Sequence, residues 1–292
     1  MTSGVFLGQI DYDDLGFWRG WSVFEAMEAR GKTIFHFEDH FKRLIKSCEL
    51  SGILLPTHFS FDTLQKQLEV SLGVELEKSE TKEFLIKVLI TQGDSSDHKT
   101  PKNGKSNWHY RILPLPATKS EPLKLVVKKA IKSNFPEIKS VGSYHDAMIL
   151  REQAKTDGFD DFLYFYDTLS ITESSTANIF FVYECGREKV LATPQNNILF
   201  GVTRRTVINL ARNSGIFYAI LEMPSLLFTK NLLKESQECF LTSTTIGVKE
   251  VKNITDIDGG VYNFDTGKNT TTHKLKELFL RYREDCLTKH PA

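Results

Sequence analysis

The chain has no cysteine pair at metal-binding or redox-motif spacing. Cys48, Cys185, Cys239 and Cys286 are widely separated and form no CxxC, which argues against a disulfide framework and a zinc site. A reducing cytoplasm is the expected compartment. Net charge is also lacking: 37 Lys and Arg balance 37 Asp and Glu, so no global field favours nucleic acid or an anionic membrane. No apolar run approaches the roughly 18 residues that a membrane span needs. The opening MTSGVFLGQIDYDD has neither a basic n-region nor an apolar h-region, so a soluble chain is expected. The eight histidines show no HExxH spacing, and no metal is assigned. Internal repeats and low-complexity tracts are absent as well. A small molecule is the partner these absences leave.

What is present is a chain of 292 residues with 40% hydrophobic content, enough for a large core and two domains. WSVFEAMEA followed by RGKTIFHF places Gly31-Lys32 between two apolar runs, as a hairpin does. In EDHFKRLIKSCELSG, Glu38 and Asp39 supply N-terminal acid. Phe41, Leu44, Ile45 and Cys48 recur at helical spacing there, and Gly52 stands at the stop. KEFLIKVLITQGD reads as a strand and residues 94–107 as a polar loop. RILPLPATKSEP carries three prolines, which oppose helix interiors and central strands. The expected division is therefore a small N-terminal α/β domain over 1–112, a linker over 113–122 and a larger domain over 123–292. Beyond the linker, LKLVVKKAI predicts a strand and SYHDAMILREQAKTDGF a helix. DFLYFYDTLSITESSTANIFFVYE predicts two or three strands around an Asp-Thr turn, and GVTRRTVINLARNSG a helix bounded by glycines.

KKAIKSNFPEIKSVGSY holds two lysines in an Ile-Lys-Ser context, and the residues downstream distinguish them. Lys139 lies five residues before Tyr144 and thirty-four before Glu173 in SITESSTANIFF; LATPQNNILFGVTRR and ECFLTSTTIGVKEV follow in order. Upstream stand GFWRGWSVFEAMEARG, a GxxVFE element, and HFKRL, an HxxRL element that His40 begins. Together these resemble the fold-type IV pyridoxal-phosphate enzymes: branched-chain aminotransferases, D-amino acid aminotransferases and aminodeoxychorismate lyases. The resemblance covers most of the chain. It implies an α/β (α+β) two-domain fold, with the larger domain built on a barrel-like sheet, pyridoxal 5'-phosphate between the domains, and a homodimer.

Carried over residue by residue, the resemblance makes Lys139 the Schiff-base lysine, with a pKa depressed by a water-poor pocket. Lys132 lacks the Tyr and Glu spacing and reads as a solvated charge. Glu173 is the expected partner of the pyridine nitrogen, with Asn178 shaping the backbone beside it. Arg43 resembles the phosphate arginine, Val202 and Thr203 offer helix N-terminal amides, and Thr244 and Thr245 match a further phosphate loop. Leu199 matches a position packing on the cofactor ring, and Tyr144 one whose hydroxyl orients the cofactor. Trp18, Trp21 and Phe24 are expected walls of an apolar pocket.

Substrate residues depart from each branch of the family. Where D-amino acid enzymes carry Arg-x-His, this chain has Asp97 and Lys99; where bacterial branched-chain enzymes carry Tyr-Ile-Arg, it has Leu85, Ile86 and Lys87. Lys87 also matches a strand lysine of the lyases, but Gln92 replaces their RG turn. The expected activity is transfer of an amino group between a branched-chain-like L-amino acid and a 2-oxo acid, with Phe24 and Lys87 at the substrate. The alternatives are an aminodeoxychorismate lyase releasing pyruvate and a cofactor-binding protein without turnover.

Overall fold

The structure, a computed structural model, describes residues 6–7, 9–102, 106–166 and 170–288. The expected Asp167-Thr168 turn and part of the polar stretch 94–107 lie outside the described residues. Two compact units emerge: one of Met1–Ala117, Ile138–Ser143 and Arg283–Ala292, the other of Thr118–Glu137 and Tyr144–Tyr282. The division falls inside the proline-rich stretch, but two later segments return to the first unit.

The first unit is a sheet in the order β1-β5-β4-β2-β3, made of β1 (Phe6–Leu7), β2 (Ser22–Arg30), β3 (Thr33–Ile34), β4 (Glu83–Thr91) and β5 (Asn107–Pro114). Helices α1 (Leu15–Arg19), α2 (Phe37–Ser51) and α3 (Phe61–Lys78) accompany it. Strand side chains alternate between faces, so Val23, Met27 and Ala29 of β2 share one core with Phe84, Ile86, Val88 and Ile90 of β4. Leu44 and Cys48 of α2 and Leu64, Leu68 and Leu72 of α3 cover that face. The returning segment runs beside β2: Phe24 N–H donates to the Lys139 carbonyl at 3.0 Å and Val141 N–H to that of Ser22 at 3.0 Å. Lys139 is thereby tethered to a strand 115 residues earlier in the chain (139 minus 24).

The second unit contains β6 (Leu123–Lys129), β7 (Asp161–Tyr166), β8 (Ser170–Ser174), β9 (Asn178–Cys185), β10 (Glu188–Pro194), β11 (Ala219–Met223), β12 (Ser236–Ser243), β13 (Gly247–Thr255) and β14 (Val261–Asn263). Their order is β11-β10-β9-β12-β13-β6-β7-β8, with β14 paired to β13 off this path, and β8 also pairs with β9. That last pairing closes six strands into a barrel-like sheet, with β10 and β11 as an extension. The expected α/β fold with a barrel-like larger sheet is what the topology shows. Leu125, Val127, Leu163, Ile179, Phe181 and Leu241 fall in one core. Helix α4 (His145–Thr156) buries Ala147 and Ala154 against Val126, Phe162 and Tyr164 of the alternate face. The remaining helices are α5 (Val202–Ser214), α6 (Lys230–Glu235) and α7 (Thr271–Thr288).

Candidate active site

In the second unit the chemistry gathers around Glu173. Every residue of β8 is buried, and Glu173 is only 2% exposed. An ionised carboxylate there costs several kcal/mol unless donors surround it. Three do. Leu199 N–H donates to Oε1 at 3.0 Å, Asn178 Nδ2 to Oε2 at 3.2 Å and Lys132 Nζ to Oε1 at 2.7 Å. The reading of Lys132 as a solvated charge is therefore corrected: its side chain is 6% exposed and forms a buried ion pair. No periodicity in residues 130–137 announces this, because the pairing spans 41 positions of sequence.

The same cluster sets the start of α5. Asn178 stands opposite Glu173 in register, and its Nδ2 also donates to the Leu199 carbonyl at 2.8 Å. Leu199 thus contributes both of its backbone groups to this network while its side chain is buried. Two residues on, Gly201 precedes α5 with no side-chain cap and no acidic residue in the first turn. A Cβ at Gly201 would lie 2.3 Å from Asn178 Oδ1, so any other residue there requires Asn178 to move. The first amides of a helix have no intrahelical acceptor and carry the positive end of the dipole, and Val202 and Thr203, both buried, supply them here. Arg204 anchors the turn by donating to the Pro194 carbonyl at 2.8 Å and to Glu222 at 3.0 Å. Burial lowers its pKa and Glu222 opposes the shift.

Thr244 and Thr245 occupy the turn between β12 and β13, half-buried, where Ser243 pairs with Gly247. Thr242, in register with Asn178 on the neighbouring strand, has a buried hydroxyl with no protein partner among the described residues. That orphaned group faces the same side as Asn178, because directly paired residues share a face. Tyr144, half-buried, closes the 3-10 turn Gly142–Tyr144 and leads into α4. Burial pushes the nearby Tyr164 phenol up, and Glu173 and Tyr144 reinforce the shift.

The first unit holds the other predicted residues. Glu25 occupies a core-facing position of β2 and is fully buried. Arg43 of α2 grips it through Nε to Oε1 at 2.7 Å and Nη2 to Oε2 at 2.8 Å, and His40 Nδ1 meets Oε2 at 2.8 Å. Burial alone would raise the Glu25 pKa, but the Arg43 guanidinium and the hydrogen bonds outweigh it and hold the carboxyl well below its ordinary 4.5. For His40 burial wins over Glu25, and the imidazole pKa falls. Arg43, expected at a phosphate, is thus fixed in orientation by a bidentate lock. The Glu of GxxVFE and the His and Arg of HxxRL are thus joined in space, and the signal for this in the sequence is a Glu on the core-facing parity of a strand.

Lys139 directs its ammonium over the Phe24 ring, 4.6 Å from the centroid, a cation–π distance. Phe24 and Lys87 lie on the same face of the sheet, opposite the core, since Phe24 pairs with Leu89 and Ala26 with Lys87. Lys87 is exposed and Arg111 of β5 stands in register beside it, so two cations adjoin on that face. Arg111 was not anticipated. Trp21 packs on the hydrophobic core and donates to the Ser51 carbonyl at 3.0 Å, which makes it structural; Trp18 stacks on His98 at 4.7 Å. Asp97 accepts from Ser95 Oγ at 2.8 Å, Lys99 N–H at 2.9 Å and Thr100 N–H at 2.7 Å, so its carboxylate organises its own loop.

Comparison with known proteins adds the following. The family described as amino-transferase class IV matches residues 22–254. A probable branched-chain-amino-acid aminotransferase of Rickettsia felis is 31% identical over 266 residues, covering 89% of this chain and 86% of that protein. The crystal structure of a branched-chain aminotransferase from Thermoproteus uzoniensis with norvaline superposes with a TM-score of 0.82 at 22% identity, over 97% of this chain and 92% of the other. That of a putative 4-amino-4-deoxychorismate lyase from Legionella pneumophila does so with a TM-score of 0.78 at 23% identity, over 95% and 96% of the two chains.

Proposed function

The chain belongs to the class IV aminotransferases, and from that premise we propose that it moves an amino group between a branched-chain-like L-amino acid and a 2-oxo acid with pyridoxal 5'-phosphate. The observation that carries the cofactor is Glu173, a buried carboxylate that already holds a cation at 2.7 Å, as it would hold a protonated pyridine nitrogen. The orphaned Thr242 hydroxyl and the uncapped start of α5 are further polar groups that suit a phosphorylated ligand. The cofactor, when bound, supplies the electron sink that makes the substrate Cα proton removable.

The protein's own residues supply the rest. Glu173 holds a proton at the ring nitrogen. Lys139 Nζ would hold the cofactor and move the proton at the substrate Cα. The Val202 and Thr203 amides, Thr244, Thr245 and Arg43 bind the phosphate, with Arg43 pre-oriented by Glu25. Tyr144 orients the ring and Leu199 packs on it. Phe24 offers an apolar surface, and Lys87 with Arg111 offers paired cations to a substrate carboxylate. The turn that engages Asp97 counts against D-amino acids, whose enzymes use an Arg-x-His pair at this place. A cytoplasmic homodimer belongs to the same reading, and sedimentation as a monomer at micromolar concentration would remove that part of it.

The test is the visible absorption of the purified protein with pyridoxal phosphate as L-leucine, L-glutamate and D-alanine are added separately, with 2-oxo acid products measured in parallel. Conversion of the bound cofactor by L-leucine, with its 2-oxo acid released, supports the reading. Persistence of the band with all three refutes transamination and leaves the aminodeoxychorismate lyase, which would use the same cofactor residues.

A further inference from the structure

Lys132 and Glu173 form the most deeply buried lysine–carboxylate pair among the described residues, with side chains 6% and 3% exposed. The segment that carries Lys132 is nevertheless at the surface: Ile131 and Phe135 are exposed. A hollow of about 550 Å³ adjoins it, lined by Lys132 itself together with Ile131, Asn134, Asp146 and Leu150, and the Asp146 carboxylate there is 84% exposed. The four-carbon lysine stem can therefore carry its charge from Glu173 toward water and a second carboxylate without moving the barrel strands.

We propose that Lys132 is a displaceable counterion of Glu173, a positioning residue that neutralises this carboxylate in the cofactor-free protein and yields it to the protonated ring nitrogen when pyridoxal phosphate binds. This rests on the reading of Glu173 as the ring-nitrogen partner. Two cations cannot share one buried carboxylate at hydrogen-bond distance without strong mutual repulsion, so the lysine and the ring nitrogen compete. Cofactor affinity is then lower than it would be without Lys132, and the cofactor-free protein is more stable than it would be with this buried carboxylate deprived of the lysine.

The competition separates from an ordinary structural role by comparing both states of the protein. Lys132→Met is expected to lower the melting temperature of the cofactor-free protein by several degrees, roughly 2–4 °C for each kcal/mol lost, while the loaded protein loses much less. Its dissociation constant for pyridoxal phosphate should fall about tenfold, the ratio that corresponds to 1.4 kcal/mol. The double variant Lys132→Met/Glu173→Gln removes both charges and should regain cofactor-free stability, which also serves if the single variant does not fold. Equal losses in both states, unchanged or weaker cofactor binding by Lys132→Met, or no recovery in the double variant overturns the proposal. Wild-type protein that binds no pyridoxal phosphate overturns the cofactor reading and the proposal with it; wild type that binds it, beside a variant that behaves identically, overturns the Lys132 proposal alone.

Discussion

Gly201→Ala tests whether the Asn178 cluster is as tightly specified as its geometry indicates. The backbone is not the obstacle, because Gly201 has φ −64°, which alanine adopts readily. Replacing glycine at a compatible position stabilises by about 0.4–1 kcal/mol through the unfolded chain. Against this, the new Cβ would sit 2.3 Å from Asn178 Oδ1 and 3.3 Å from Arg204 Cβ. Asn178 must move by close to an ångström, yet its Nδ2 is bonded to Glu173 and to the Leu199 carbonyl. Overpacking costs about 1–3 kcal/mol, and a lost hydrogen bond to a charged group about 1.5–3 kcal/mol. A net destabilisation of roughly 2–4 kcal/mol follows from these magnitudes. Trp18, Trp21 and Trp108 all belong to the first unit, so denaturant unfolding of this second-unit site is best followed by far-UV circular dichroism. In an Asn178→Ala background the clash is gone, and Gly201→Ala should be neutral or slightly stabilising. The reasoning fails if Gly201→Ala is harmless in the wild-type chain, or if the two changes add to within about 0.5 kcal/mol.

The remaining predictions concern Glu25 and Lys139. Glu25→Gln should cost about 3–5 kcal/mol near neutrality, the usual penalty for breaking a buried ion pair from one side, read by tryptophan fluorescence. Because the folded pKa of Glu25 lies below 4.5, its stabilisation is complete above that pH and is lost as the pH falls further. The gap between wild type and Glu25→Gln should therefore close under acid, and a gap that stays constant would contradict the assigned direction. After borohydride reduction of the loaded protein, peptide mapping should find the cofactor on Lys139. Lys139→Ala should bind it only reversibly while Lys132→Ala still carries it covalently; modification of Lys132 instead would invert the two assignments.

Local pattern carried much of this protein. The Gly31-Lys32 hairpin, the apolar stripe of α2, and α5 between Gly201 and Gly215 follow from turn chemistry and helical period, which act over a few residues. Helix α3 is equally legible in its Ser60 cap, which accepts the Thr63 N–H at 3.2 Å, and in the helical spacing of Leu64, Leu68 and Leu72, and belongs with the elements that local pattern determines. The spacing from Lys139 to Tyr144 and Glu173 pointed to the family because the order of motifs survives where packing detail does not show. Other features depended on where the chain path returns: the β8–β9 pairing that closes the barrel, the 138–143 segment beside β2, and the exclusion of a Cβ at Gly201 by Asn178. The tertiary structure alone decided that Lys132 meets Glu173. A lysine is solvated or buried according to what lies across from it in space, and that carboxylate stands 41 residues further along the chain.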